Sequence, residues 1–232
     1  MVVRKLYLVP IVHTSADMGS AAPALDEEAS AQLGQELWQK HKETVSGFWD
    51  SISRFFDSLD VNGFKIYQDG MVANGVTALR IIKNGISQGS KNYEIIGRLL
   101  GRGAVLMKTE DIVLVKQEHT FITKMTRSGS RKEKEVAALR YKLAQSRLLK
   151  QRDHFIAKTI KETLDEGDTG VLFIGANHGV LSKLPGDIEV TQVKDVDKVR
   201  EYHKTIAALK KDDQRFHQLA EYLCSPVTNS LP

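Results

Sequence analysis

The chain has 232 residues, with 33 Lys and Arg against 29 Asp and Glu, and 41% of its residues are hydrophobic. This size and composition predict one globular domain, which we expect over residues 1–224 with a flexible tail over 225–232. No apolar run is long enough to span a membrane and the first residues lack a signal-peptide pattern, so we expect a cytoplasmic protein without a membrane partner. The single cysteine, Cys224, excludes an internal disulfide and a cysteine-based zinc site.

Strand and helix patterns alternate along the first part of the chain. Residues 6–12 predict a strand that ends at His13. Apolar residues at helical spacing predict a long helix from Pro23 to Leu59, which could break near Ser46 and Gly47. Residues 64–69 follow an Asn-Gly turn signal and alternate in polarity, so they predict a second strand that ends in Gln68 and Asp69.

The rest of the chain predicts further alternation. Residues 71–102 predict a helix only weakly, because recurring glycines lower their helical preference. We expect short strands over 104–108, 112–116 and 120–125, a helix (or two helices meeting near Arg152) over 132–164, strands over 171–175 and 188–193, and a last helix over 196–223. Together these elements predict an α/β protein, with a three-layer α/β sandwich around a mixed, mostly parallel sheet.

Polar side chains follow three of the predicted strands. His13 follows the first strand, Gln68 and Asp69 end the second, and His178 follows the strand over 171–175 in the segment VLFIGANHG. The carboxyl ends of parallel strands meet at one edge of a sheet, where ligands commonly bind. Two imidazoles and a carboxylate suffice to hold a divalent ion with an open position for water. We therefore expect a site at this edge, with His13, Asp69 (or Gln68) and His178 as metal ligands.

The segments PIVHTS and VLFIGANHG, with QRDHFIAKTIKETLDEGDTG before the second, resemble the TraB/PrgY and Tiki family, which is related to the ChaN and erythromycin-esterase proteins. That family carries two Gly-x-x-His motifs at strand ends and an Arg-Asp pair on the helix before the second motif. The second motif is complete here and ends at His178, and the pair falls on Arg152 and Asp153. The first motif keeps His13 but has Pro10 in place of glycine.

The resemblance implies a hydrolase, a peptidase among the alternatives, that depends on a divalent ion such as Mn, Zn or Co and acts on a small molecule or a peptide. His13, His178 and Arg152 would be catalytic, with Arg152 as a clamp for an anion. Gly175 and Asn177, within the second motif, would contact the cofactor.

Two other functions fit the same residues. The fold could bind a small anion or a partner protein without catalysis, with Arg152 supplying the charge. Basic residues are also dense between Lys124 and Lys161, so this helix could bind nucleic acid, although a solvated surface is the usual role of such a run and no aromatic residues alternate with the charges.

Overall fold

In the computed structural model, which describes residues 3–14, 22–127, 130–208 and 214–228, five strands form one sheet in the order β3-β2-β4-β1-β5. The strands are β1 (Arg4–Ile11), β2 (Lys65–Gln68), β3 (Val105–Leu106), β4 (Thr169–Gly175) and β5 (Ile188–Gln192). The helices are α1 (Ala22–Leu33), α2 (Gln35–Asp57), α3 (Gly75–Ser87), α4 (Lys91–Gly101), α5 (Ile112–Arg127), α6 (Arg131–Thr163), α7 (Val196–Ala208) and α8 (Gln214–Cys224), with a short 3-10 helix over Val180–Lys183.

The α/β class and the layered architecture are confirmed, and one part of the expectation is corrected. Every described strand pair is parallel, so the sheet is not mixed. Parallel strands need crossover connections, and the long helical segments between these strands supply them. Both faces of the sheet are covered as a result, which explains why β4 is a continuous apolar run.

Side chains that alternate along the strands show which helix covers each face. Tyr7 and Phe173 point to one face, where Tyr7 packs edge-on against Phe55 of α2 at 5.6 Å between ring centroids and Phe173 lies 6.2 Å from Phe56. Tyr67 points to the other face, and its hydroxyl lies 2.8 Å from Thr163 Oγ1 of α6. The sheet is thus sandwiched between α2 and the end of α6.

The expected strands over 112–116 and 120–125 are wrong, because residues 112–127 form α5. Asp111 starts this helix, since its Oδ1 accepts a hydrogen bond from the Val113 amide at 2.6 Å. The β-branched residues favour a strand by propensity, but packing of α5 along α6 overrides that preference. The strand expected over 104–108 shortens to Val105–Leu106.

The helices differ from expectation in two divisions, at Gly34 and after α7, and the breaks considered near Gly47 and Arg152 do not occur. The first long helix divides at Gly34, whose φ of 85° suits glycine, and continues past Gly47. A Cβ at Gly47 would lie 2.6 Å from Cys224 Sγ, so this glycine lets α8 approach α2 closely. The helix over 131–163 is single, and the last helix divides into α7 and α8, with residues 209–213 outside the described part.

The described start of the expected tail contacts the core. Val227 packs against the buried hydrophobic residues, and the buried Lys194 ammonium donates to the Ser225 carbonyl at 2.6 Å. Among the described residues, no helix combines the length and apolar character that a membrane crossing requires.

Candidate acid–base site

Parallel pairing brings the expected site residues to one edge of the sheet. Ile11 at the end of β1 pairs with Gly175 at the end of β4, and Gln68 at the end of β2 pairs with Phe173. A cavity of about 480 Å³ opens at this edge. Its lining includes every residue expected at the site: His13, Asp69, Arg152, Gly175, Asn177 and His178.

His178 is held between two carboxylates. Its Nδ1 lies 2.6 Å from Asp153 Oδ1 and its Nε2 lies 3.3 Å from Asp69 Oδ2. The His178 side chain is 6% exposed and that of Asp153 is 5% exposed, so the shorter contact is shielded from water. Asp153 therefore sets the orientation of the imidazole ring and directs Nε2 toward Asp69.

The backbone amides of the two glycines in the segment GANHG donate to the carboxylates of the cluster, so they are not available to a ligand. The His178 amide donates to the Gly175 carbonyl at 3.0 Å and closes a tight turn. The Gly175 amide donates to Asp69 Oδ2 at 3.2 Å, and the Gly179 amide donates to Asp153 Oδ2 at 2.9 Å. The backbone thus fixes both carboxylates that flank the imidazole. The expected contact of Gly175 and Asn177 with a cofactor remains a prediction.

Arg152 lies beside His178 and is surrounded by three carboxylates. Its Nη2 contacts Asp69 Oδ1 and Glu110 Oε1, each at 2.5 Å, and its Nη1 donates to Glu118. The Glu110 side chain is fully buried and that of Arg152 is 8% exposed. An incoming anion would have to displace one of these carboxylates, so the role of Arg152 as an anion clamp remains a prediction.

The charges of this cluster shift the pKa values of its members. Burial lowers the pKa of His178, but the hydrogen bonds to Asp153 and Asp69 outweigh burial and raise that pKa to about 9. Burial raises the pKa of Asp69, yet the contacts with His178 and the charge of Arg152 hold it well below its usual range. Burial also raises the pKa of Glu110, against the effect of Arg152. His178 therefore carries a proton at neutral pH while Asp69 is ionised.

Asp69 and Gln68 were alternatives for the ligand from the second strand, and their side chains bind different partners. The Gln68 side chain is buried and accepts a hydrogen bond from Asn92 Nδ2 at 2.9 Å. Asp69 alone of the two faces His178 and Arg152. Asp69 is thus the side chain that β2 contributes to the cluster.

Three residues of this site were missed by the sequence analysis. Glu110 follows β3 at the same edge of the sheet, so polar residues after a strand end, which indicated His13 and Asp69, could also have indicated Glu110. It was missed because it falls between the strands expected over 104–108 and 112–116. Glu118 lies on α5, which was interpreted as strands, and no sequence signal marked it. His203 lies on α7, where no partner motif in the sequence marked it as more than a structural or exposed residue, and it lines the cavity.

The arrangement of these groups does not fit a divalent ion. Both His178 nitrogens face carboxylates at short distance, and both Asp69 oxygens already accept hydrogen bonds. An ion could bind here only with release of the His178 proton and displacement of the carboxylates from the ring nitrogens. No group of three or more His, Cys, Asp and Glu side chains among the described residues is placed to hold an ion. The metal ion expected from the resemblance remains a prediction, and we assign no step to it.

Comparison of the chain with protein-family models, with curated proteins and with solved structures found no match.

Proposed function

We propose that the cavity is the active site of a hydrolase that uses the acid–base groups of the chain itself. The observation that carries the proposal is the acid–base cluster, formed by Asp69, Glu110, Glu118, Arg152, Asp153 and His178, at the wall of a cavity that His13 also lines. Perturbed ionisable groups that converge in a cleft are typical of catalytic sites.

The energetic cost of the cluster supports a functional role. Buried ion networks contribute little net stability, because the desolvation of each charge offsets the attraction between partners. Apolar side chains of similar volume would stabilise the edge of the sheet at least as well. A cluster of six ionisable side chains next to a cavity is therefore better explained by chemistry than by stability.

The protonation state of His178 assigns its role, and His13 is a second imidazole in the lining of the same cavity. His178 holds a proton that Asp153 orients, and it serves as the general acid when the carbonyl oxygen of the substrate takes the place of Asp69 at Nε2. His13 serves as the general base, which takes a proton from water as the water oxygen bonds to the carbonyl carbon. The bond from that carbon to the leaving group then breaks, and the leaving group takes the proton of His178.

Anion binding without catalysis is less well supported by the same contacts. The four carboxylates of the cluster outnumber its two cationic groups, and the guanidinium of Arg152 already pairs with three of them. An anion would meet this negative field as it enters.

A hydrolysis screen with matched variants tests the proposal. The assay uses p-nitrophenyl esters and peptide p-nitroanilides at neutral pH, with and without EDTA, for wild type, His13→Ala, His178→Ala and the control His154→Ala, whose side chain is exposed on α6. We expect kcat/KM to fall about 100-fold or more in the first two variants and to stay unchanged in the control.

The outcomes separate the alternatives. Absence of turnover with both bond types, or full activity in His178→Ala, would overturn the hydrolase. EDTA should leave wild-type activity in place. Activity that EDTA abolishes and Mn²⁺ or Zn²⁺ restores would replace this mechanism with the metal-dependent one, and calorimetric titration of either ion into wild type and His178→Ala would locate the ion.

A further inference from the structure

Two polar atoms in the lining of the cavity have no hydrogen-bond partner among the described residues. These atoms are Ser90 Oγ and Asn92 Oδ1. Ser90 is 2% exposed and Asn92 is 4% exposed, and both residues line the cavity that holds the acid–base cluster. A buried polar atom without a partner destabilises the protein, so a ligand that supplies the missing partner is favoured there.

The chemistry of these two atoms follows from a chain of contacts that begins at Asp69. The Asp69 carbonyl can only accept, so Gln68 presents Nε2 to it at 3.0 Å. The other end of that amide, Gln68 Oε1, then accepts from Asn92 Nδ2 at 2.9 Å. Asn92 is thereby left with its oxygen unpartnered, and that oxygen can only accept.

Ser90 supplies the complementary group. It occupies the position before the first residue of α4, where a serine side chain usually accepts a hydrogen bond from the helix. No such bond is made by Ser90, so its hydroxyl remains available to donate. A hydroxyl donor and an amide acceptor in the lining of one cavity match the two polar groups of an amide, its carbonyl oxygen and its N–H.

We propose that Ser90 and Asn92 form a neutral subsite that binds an amide group of the substrate next to the bond that is hydrolysed. This inference rests on the proposed function, because the cavity is shared with the acid–base cluster. The contacts through Gln68 link the subsite to the backbone of Asp69, so the spacing between the bound amide and the reacting bond is fixed. Peptides and N-acylated compounds are the substrate classes that carry such a group.

The test uses a matched pair of small probes and requires no turnover. N-methylacetamide and methyl acetate are titrated separately into isotope-labelled protein, and the amide resonances of Ser90 and Asn92 are followed by NMR. We expect saturable shifts with N-methylacetamide and about fivefold weaker binding of the ester, which lacks the N–H donor that Asn92 Oδ1 would accept.

Three variants distinguish a subsite from a structural role. Asn92→Leu and Ser90→Ala should each weaken N-methylacetamide binding about fivefold. Ser87→Ala is the control, because its exposed hydroxyl already donates to the Asn84 carbonyl at 2.7 Å, and it should change nothing. Since the Ser90 hydroxyl has no partner, Ser90→Ala should keep or raise Tm.

Three results would overturn the subsite: equal binding of amide and ester, no shift at Ser90 and Asn92, or a lower Tm for Ser90→Ala, which would show that the hydroxyl supports the helix. Amide binding without any hydrolysis would leave the subsite in place and remove only the hydrolase. Hydrolysis without amide binding would do the reverse.

Discussion

Asp153 binds both the side chain of His178 and the backbone that follows it. One carboxylate oxygen lies 2.6 Å from His178 Nδ1 and the other accepts from the Gly179 amide at 2.9 Å. The helix α6 and the loop after β4 are therefore joined by a single side chain. The position of the imidazole relative to the cavity depends on this carboxylate.

Asp153→Asn should lower the pKa of His178, because the neutral amide no longer stabilises the imidazolium. We expect the NMR titration midpoint of the His178 ring to fall by at least about one unit from its raised value. Asp165→Asn is the matched control, since the exposed Asp165 pairs with Lys65 at 3.0 Å, away from the cavity. An unchanged titration midpoint of His178 in Asp153→Asn would show that Asp69 alone raises the pKa of His178.

Stability should depend on the protonation of His178 in alkaline solution. Its pKa is raised from 6.5 to about 9 in the folded protein, so the folded state binds the proton more tightly than the unfolded state does. The contribution, at most about 3 kcal/mol, is complete below pH 6.5 and is lost as the pH rises through 9. Urea unfolding of wild type and His178→Gln at pH 6 and pH 10 measures it. A difference between the two proteins that does not shrink at pH 10 would contradict this assignment.

His41 should have the opposite effect in acid. Burial, together with the charge of His203, lowers the pKa of His41 to about 4, and its Nδ1 lies 2.8 Å from the Tyr202 hydroxyl. The unfolded state therefore binds a proton that the folded state excludes, and stability falls as the pH drops from 6.5 through 4. His41→Gln should flatten this part of the curve of unfolding free energy against pH. His154→Gln, an exposed imidazole, serves as the control and should leave the curve unchanged.

Removal of the guanidinium at the centre of the cluster should strongly destabilise the fold. Arg152→Met leaves Asp69, Glu110 and Glu118 without their shared cation, which typically costs about 3–5 kcal/mol for a buried group. Arg98→Met, at an exposed position, should change stability little.

The double variant Arg152→Met/Glu110→Gln isolates the electrostatic part of the unfolding free energy that Arg152→Met loses. Glu110 is the fully buried partner of Arg152, so its neutralisation should recover part of the unfolding free energy. A double variant no more stable than Arg152→Met would assign the loss to packing instead.

The basic surface of α6 provides a separate test for nucleic acid. Arg140, Lys142 and Arg147 are exposed, whereas Arg152, which belongs to the same basic run, is buried in the cluster. If nucleic acid binds here, the wild-type affinity should fall steeply with salt, and neutralising the three exposed residues should abolish binding while leaving the cavity untouched. Neutralising the exposed Lys42, Lys183 and Lys204 is the control. Failure of wild type to bind DNA or RNA at low salt removes this function.

The sequence predicted the part of the site that local pattern determines. Apolar runs that end in His13, Asp69 and His178 mark buried strands, and parallel pairing places their ends at one edge of the sheet. Arg152 and Asp153 came from the resemblance, and the structure places both against the strand-end residues.

The remaining members of the cluster depend on tertiary packing. Glu118 reaches Arg152 because α5 lies along α6, and the β-branched residues of α5 favoured a strand when the sequence was considered alone. The partners of Ser90 and Asn92 depend on how α4 meets β2, which no local pattern encodes. Residues distant in sequence therefore complete the site.

The glycine at position 47 affects how the single thiol of the chain reacts. Cys224 Sγ lies against that glycine, with the Thr44 carbonyl 3.6 Å away, and burial raises the pKa of the thiol. A maleimide or a disulfide reagent needs both the thiolate and room for the adduct, and the contact between α2 and α8 restricts both. Local separation of these two helices should therefore speed the modification of Cys224. The labelling rate of Cys224 therefore measures how often α8 separates from α2.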